Sequence, residues 1–465
     1  MTTKTAIIGG GITGLSAAYY LQKAIMANDL DMEFKLFESS SRLGGKIQTE
    51  YRNGFVMERG PDSFLARKES ASRLAKEVGI DKELVSNFAG QAYILKKNNL
   101  YPIPKGSVMG VPTKWMPFWK TPLLSFKGKV RALADLVIPK SSPAEDQSLG
   151  GFFRRRLGSE AVDYLIDPLL SGVYAGDIDK LSLQATYPQF FEAEQKYQSL
   201  MRGLKPPAPD KNEEPSKKKG AFLSFERGLY SLVEAIENHL EEDAVKKNTT
   251  LTRLSKTDRG MMLHFKDGST EEVDNVIMAT PPHVTSRLLQ DPVIEKTLGS
   301  IPSTTVATIS MTFEAGEVPE AFDGTGFVVS KKADYTITAC TWTHRKWKHS
   351  APAGKALIRC YVGKPGGEDI VEKTDEEILN AVRHDLEKIM QIQAEPSDFL
   401  VTRWRQSMPQ YEIGHKQALA ETRNRLQTAF PAVYAGGAAF EGVGLPDCIL
   451  QGEKGAQFVL QHEKY

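Results

Sequence analysis

Cysteine is nearly missing from this chain: Cys340, Cys360 and Cys448 are the only three in 465 residues, and no two form a CxxC pair. That excludes a disulfide framework, a redox dithiol and a cysteine zinc site, and it fits a reducing compartment. Long apolar runs are missing too. No stretch of 18 or more apolar residues occurs, so no transmembrane helix is expected. Neither charge sign dominates, with 59 basic against 58 acidic residues, which removes the electrostatic case for a nucleic-acid partner. The first strand begins without a charged and apolar leader, so a cytoplasmic location is expected, with contact at the inner face of the cell membrane left open. There is no catalytic triad or dyad, no metal-ligand cluster and no second nucleotide fingerprint. What remains is length enough for two or three domains and a sizeable core.

The stretch Ala6 to Lys46 organises the rest. A short apolar strand (Ala6, Ile7, Ile8) runs into the turn Gly9-Gly10-Gly11-Ile12-Thr13-Gly14, then a helix with Leu15, Ala17, Ala18 and Leu21, then a second strand, Glu33 to Phe37, that ends on Glu38. The spacing Gly9-x-Gly11-x-x-Gly14 fits a dinucleotide fingerprint. Its first glycine permits the tight turn, its second lets backbone approach a pyrophosphate, and its third lets helix pack on strand. The helix start offers free N–H groups to the phosphates, and Glu38 is placed to accept from ribose hydroxyls.

Further along, Gly54 to Phe64 reads as a strand entering a turn, with Arg67 and Lys68 directly after it. Residues 70–90 are expected to be helical, and Tyr93 to Ile103 to form a hairpin about Asn98-Asn99. Val108 to Leu136 interleaves Trp115, Met116, Phe118, Trp119 and Phe126 with Lys114, Lys120 and Lys127. Two readings of that stretch stand: a membrane-interface element, or a packed helical lid with a wet edge. Ser148 to Ala185 reads as helical, with Gly172 beside Tyr174 allowing close packing against something flat. Residues 206–219 are too polar and proline-rich to bury and are expected to be an exposed loop. Residues 301–365 are strand-rich, and alternation puts Leu357, Arg359 and Tyr361 on one face of the last strand. That face suits an anionic ligand or surface pairing. Asp375 to Met390 is an amphipathic helix. At the end, Ala432 to Ala438 is a strand into a glycine turn, and Gly442 to Asp447 opens a final helix whose N-terminus suits a negatively charged ligand group.

Glu38-x-x-x-Arg42-x-Gly44-Gly45-Lys46 resembles the second glycine motif of amine-oxidase-like flavoproteins. Together with Glu58-Arg-Gly-Pro-Asp-Ser63, Asp167-Pro to Tyr174-Ala-Gly-Asp177, Trp404 with Met408-Pro-Gln-Tyr411, and Phe440 to Asp447, the whole chain resembles the oxygen-dependent protoporphyrinogen and coproporphyrinogen oxidases, in detail the bacterial coproporphyrin-forming type. The resemblance implies non-covalent FAD held by Gly9, Gly10, Gly11, Ile12, Thr13, Gly14, Glu38, Ser39, Arg42, Gly45, Lys46, Gly60, Pro61, Asp62, Ser63, Leu251, Trp404, Val443, Gly444 and Leu445. It also implies substrate contact at Lys68, with Gly172 and Tyr361 as further candidates.

The fold it implies is α/β, or α+β overall. A discontinuous Rossmann-like FAD domain is expected at 1–70, 220–300 and 395–465. A helical lid or membrane-facing domain is expected at 71–204, a flexible loop at 205–219 and a sheet-based substrate domain at 301–394. The implied reaction is six-electron oxidation of coproporphyrinogen III, with protoporphyrinogen IX as a second substrate and oxygen reduced to hydrogen peroxide. No side chain is named as catalytic, because the flavin carries the chemistry. The expected partners are the porphyrinogen, oxygen, a membrane surface and a downstream haem-pathway enzyme. A flavin amine oxidase and a carotenoid-type desaturase are the alternative enzymes. Against the former, the region after Trp404 has no cysteine through His415, and residues 441–447 lack an aromatic partner for an amine cage. A flavin-bearing scaffold without turnover is the reading from outside enzymology.

Overall fold

Strand Thr3–Ile8 lies at the centre of a five-stranded sheet in which every pairing is parallel, in the order Val245–Lys246, Met32–Phe37, Thr3–Ile8, Asn275–Met278, Val433–Ala435. The computed structural model describes residues 2–88, 90–142, 146–204, 219–319 and 323–462. Parallel strands need crossovers and are covered on both faces, so Ala6 to Ile8 read as a continuous apolar run and are fully enclosed. Helix Ile12–Asn28 covers one face and packs along the last helix, Leu445–His462. Glycine sets that approach, because a Cβ on Gly452 would drive into the Thr13 carbonyl and Ser16. The sheet is thus assembled from three distant parts of the chain.

A seven-stranded sheet forms the second layer system, ordered Asp398–Pro409, Ser303–Glu314, Lys355–Val362, Ile337–Trp342, Gly326–Val329, Ala92–Lys96, Asn99–Pro102. Along Ser303–Glu314 the residues Ala307, Ile309, Met311 and Phe313 join the core under helix Asp375–Met390, while Thr308, Ser310 and Thr312 face the other way. That other face carries Leu357, packed on Phe55 and Met57, so it is turned to the segment leading into the glutamate-arginine-glycine turn and not to solvent.

Three differences from the sequence reading follow. The hairpin about Asn98-Asn99 forms, but it extends the seven-stranded sheet and does not belong to a helical unit beginning at 71; the strand Asp398–Pro409 likewise lies in that sheet, although it falls within 395–465. Residues 70–90 are not one helix. Helix Glu69–Glu77 stops before Gly79, which sits at φ 76, and Leu84–Phe88 is a strand paired with Lys219–Phe225. The loop expected at 205–219 lies outside the described residues except for Lys219, which opens that strand.

The helical layer between 115 and 204 has its own core, built on Phe118, Phe152, Phe153, Leu165 and Phe190. Within it one π-helical turn, Val162–Ile166, leads directly into helix Asp167–Tyr174. No helix among the described residues is long and apolar enough to cross a membrane.

Candidate flavin and substrate cleft

The first helix is capped by Gly11 and no side chain bonds to its N-terminus, so the N–H groups of its first turn are left for another acceptor. Space is available there. A Cβ built on Gly11 meets nothing within 4 Å, whereas on Gly9 (φ 106) it would stand 2.7 Å from the Ala279 carbonyl oxygen, and on Gly14 it would overlap the Gly9 carbonyl. The turn therefore needs glycine for its own closure at Gly9 and Gly14 and offers an open backbone at Gly11. Beside it, Gly44 donates to the Gly10 carbonyl at 2.8 Å, which lays the second glycine motif across the first. Arg42 wraps that second turn by donating to the Leu43, Gly45 and Ile47 carbonyls, so its guanidinium shapes the turn and does not reach outward. These features suit a pyrophosphate.

Glu38 stands at the end of its strand, where its carboxylate accepts from Gly10 N–H and Ser40 N–H, both at 2.8 Å, and from the Ser39 hydroxyl at 3.3 Å. Residues 248–249 run alongside through Asn248 N–H to the Ser40 carbonyl and Thr249 N–H to the Glu38 carbonyl, which brings buried Leu251 to this end of the sheet, beside Phe37.

The segment Glu58 to Ser63 is fixed from three directions. The Arg59 carbonyl accepts from the Thr308 hydroxyl (3.0 Å), Trp404 Nε1 (2.9 Å) and an Arg359 Nη (3.2 Å), which also donates to the Gly60 carbonyl. Trp404 thus reaches the segment by its ring nitrogen. Gly60 has no room for a side chain, because a Cβ would overlap the Lys46 carbonyl. Burial pushes the Lys46 ammonium down from its ordinary pKa; it donates to the Ser407 carbonyl. Asp62 differs from a ligand-facing acid. Its carboxylate takes Lys346 Nζ at 2.6 Å, the Ser63 hydroxyl at 2.7 Å and Trp347 Nε1 at 3.3 Å. Burial opposes its ionisation, but the Lys346 and Arg359 charges outweigh burial and hold it well below the usual carboxylate range. Glu58 shows the reverse balance. Burial raises it to about 7, against the Leu229 N–H at 2.6 Å and the Thr49 hydroxyl at 2.9 Å.

The terminal glycine turn closes the cleft. Tyr411 fixes it: the hydroxyl donates to the Ala438 carbonyl at 2.7 Å and accepts from Gly442 N–H at 2.9 Å, while its ring stacks on His415 at 4.1 Å and leans on Tyr174 at 5.4 Å. Val443 packs against the helical core and Leu445 against the first helix, with Gly444 between them. Helix Asp167–Tyr174 therefore rests on this turn through Tyr174, and Gly172, two residues back, is exposed with nothing within 4 Å of a built Cβ. Lys68 meets the turn from the other side, its Nζ 2.6 Å from both oxygens of Asp447.

Among the residues picked from sequence, direct contacts join the two N-terminal glycine turns to Glu38, Gly60 to Lys46 and Trp404, and Lys68 to Asp447 beneath the 442–444 turn, while Gly172 is exposed with nothing within 4 Å of a built Cβ. Tyr361 lies under Arg359, whose guanidinium is 5.0 Å from the ring centre. Arg359 itself is 3% exposed and committed to main-chain carbonyls, so it is neither a surface pair nor a free cation for an anionic ligand. Sequence reasoning missed Lys346 as the partner of Asp62 and Asp447 as the partner of Lys68, each hundreds of positions away.

The model of the family described as flavin containing amine oxidoreductase matches residues 12–460. A coproporphyrinogen III oxidase from Bacillus subtilis (strain 168) is 50% identical over 449 residues, covering 96% of each chain. Another from Staphylococcus aureus (strain NCTC 8325 / PS 47) is 42% identical over 471 residues, covering 99% of each. A crystal structure from Exiguobacterium sp. 255-15, of a chain assigned as a protoporphyrinogen oxidase, superposes with a TM-score of 0.88 at 39% identity and 99% coverage of both.

Proposed function

Since the chain belongs to the flavin containing amine oxidoreductase family, and close relatives that it matches end to end are coproporphyrinogen III oxidases, we propose that it oxidises coproporphyrinogen III to coproporphyrin III with FAD and molecular oxygen, in haem synthesis. The observation that carries the reading is the cleft itself. An open glycine cradle at Gly11, a glycine turn at 442–444 whose Asp447 is held by Lys68, and an exposed, side-chain-free position at Gly172 carry it together. A flat, carboxylated macrocycle suits that combination.

When bound, FAD would supply the two-electron acceptor for oxidation at the saturated meso carbons, with oxygen as the final oxidant. Three rounds take six electrons and six protons from the substrate and give three molecules of hydrogen peroxide. The chain's own residues bind and orient. Gly9 to Gly14 and Gly45 would hold the pyrophosphate, Glu38 and Leu251 the adenosine, and Gly60 to Ser63, Trp404 and Val443 to Leu445 the flavin ring end. Non-covalent attachment is supported by the thiols. All three cysteines are buried, and burial pushes Cys448, the one near the cradle, up to about 11, where it is a poor nucleophile.

The side of the molecule around Trp115–Lys120 and Phe126–Leu133 adds a peripheral membrane contact to the proposal. Trp115, Met116, Phe126 and Val130 are exposed there, and Leu84 to Ala134 contains no acidic residue.

The test is porphyrin fluorescence in air, with coproporphyrinogen III and protoporphyrinogen IX given in parallel and spontaneous oxidation subtracted. Faster turnover of coproporphyrinogen is expected. Acceleration of neither substrate sinks the reading and returns the chain to the amine-oxidase alternative.

A further inference from the structure

Lys68 and Asp447 form a pair that does not need to exist for the fold. The chain around Lys68 is already held to the last helix by the Ser70 hydroxyl on the Pro446 carbonyl at 2.6 Å and by the Arg73–Glu453 ion pair. The two side chains keep 37% and 20% of their surface exposed, so their attraction is worth little net stability. Their dependence on each other is unequal. Asp447 sits in the first turn of an 18-residue helix, where the helix dipole favours a carboxylate with or without a lysine. Among the described residues no second anion pairs with Lys68. The carboxylate also lies tight under the turn, since a Cβ on Gly442 would come within 2.7 Å of it and one on Gly444 within 3.0 Å. Burial raises the pKa values of Tyr174 and Tyr411, and the Asp447 charge adds to the rise at both.

We propose that Asp447 is a resident competitor for Lys68: a substrate carboxylate takes Lys68 over from Asp447, which the helix terminus then stabilises alone, so Asp447 sets how many carboxylates a ligand needs to bind well. This rests on the porphyrinogen reading above and names the residue that tunes its substrate class. Asp447 is a specificity-determining residue acting through Lys68, without touching the reacting atoms. A ligand with four propionates has a carboxylate to spend on the exchange and others to anchor elsewhere. One with two has less to offer, and the competitor penalises it more.

The experiment is equilibrium binding of coproporphyrin III and protoporphyrin IX to flavin-loaded protein, read by quenching of tryptophan fluorescence, for wild type, Asp447→Asn, Lys68→Met and the double variant. Asp447→Asn is expected to tighten both porphyrins, protoporphyrin more, by up to about five-fold, and to lose that effect entirely in the Lys68→Met background. Equal tightening with and without Lys68 means a general charge effect and overturns the exchange, as does no change or weaker binding. Asp447→Ser, which keeps a residue suited to a helix start, repeats the test if the asparagine variant loses flavin. Loss of flavin from both overturns the proposal by making Asp447 a structural group. A wild type that binds neither porphyrin fails the functional reading and is thereby told apart from failure of the exchange.

Discussion

Glu58 is the residue whose chemistry reports most directly on pH. Its folded-state pKa of about 7 lies above the ordinary carboxylate value of 4.5, because burial penalises the anion more than the Leu229 N–H and Thr49 hydroxyl favour it. The folded protein therefore binds this proton more tightly than the unfolded chain does. Below the unfolded value both states are protonated and nothing is lost. As pH rises from about 4.5 to 7 the unfolded state ionises first and stability falls; above that the loss is constant, at up to about 3 kcal/mol. A glutamine at this position keeps one donor and one acceptor for the same neighbours without the charge. Glu58→Gln is expected to flatten the decline of Tm between pH 5 and 7 and to raise Tm at pH 8, measured by thermal unfolding at fixed salt. An unchanged slope would assign the decline to other groups. At Gly60 the argument is steric. With the Lys46 carbonyl where a Cβ would stand, Gly60→Ala is expected to cut the flavin content of purified protein to a small fraction of wild type, read from the visible absorbance.

Two elements carry predictions of their own. Helix Asp375–Met390 begins on a reciprocal cap, Glu377 N–H to Thr374 Oγ1 at 3.2 Å and Thr374 N–H to a Glu377 carboxylate oxygen at 2.8 Å. Thr374→Ala should cost about 1 kcal/mol of stability and leave turnover unchanged, since the cap is on the side of the sheet away from the cleft. The exposed aromatic and basic pair of helices at 115–133 is expected to bring the protein down with anionic vesicles at low salt and release it at high salt. Trp115→Ser combined with Phe126→Ser should abolish sedimentation; equal binding to neutral vesicles would remove the electrostatic part. Elements with a local signature were legible from sequence. The capped amphipathic helix was read at its observed bounds, and the strand-turn-helix at 3–28 from its glycine spacing. Where a signature was missing the reading failed. Leu84–Phe88 is a strand only because Lys219–Phe225 pairs with it, and nothing between 70 and 90 announces a partner so far along the chain.

At the scale of the molecule, the seven-stranded sheet is tied to the segment that follows the hairpin Thr49–Arg52 and Phe55–Glu58 through the Arg59 main-chain carbonyl. Arg59 receives Thr308, Arg359 and Trp404, donors 249, 300 and 345 positions away, from three adjacent strands of the second sheet. Sequence alternation placed Arg359 on the correct face but could not say what that face met. A buried guanidinium on carbonyls and a surface cation look alike until the partner is placed, and the same is true of Asp62 with Lys346. The seam has a consequence for the whole fold. Arg359 is the only one of the three that also holds the Gly60 carbonyl, and its charge lowers both Glu58 and Asp62. Replacing it with methionine leaves the Gly60 carbonyl without that donor and two buried acids without their shared cation, a cost of about 3 kcal/mol. Arg359→Met is expected to lower Tm and to speed flavin release on dilution. Arg359→Lys, which keeps the charge but not the span of two carbonyls, should restore only part of the flavin retention. A wild-type Tm with wild-type flavin release in Arg359→Met would mean that Thr308 and Trp404 alone hold the Glu58 to Ser63 segment on the seven-stranded sheet.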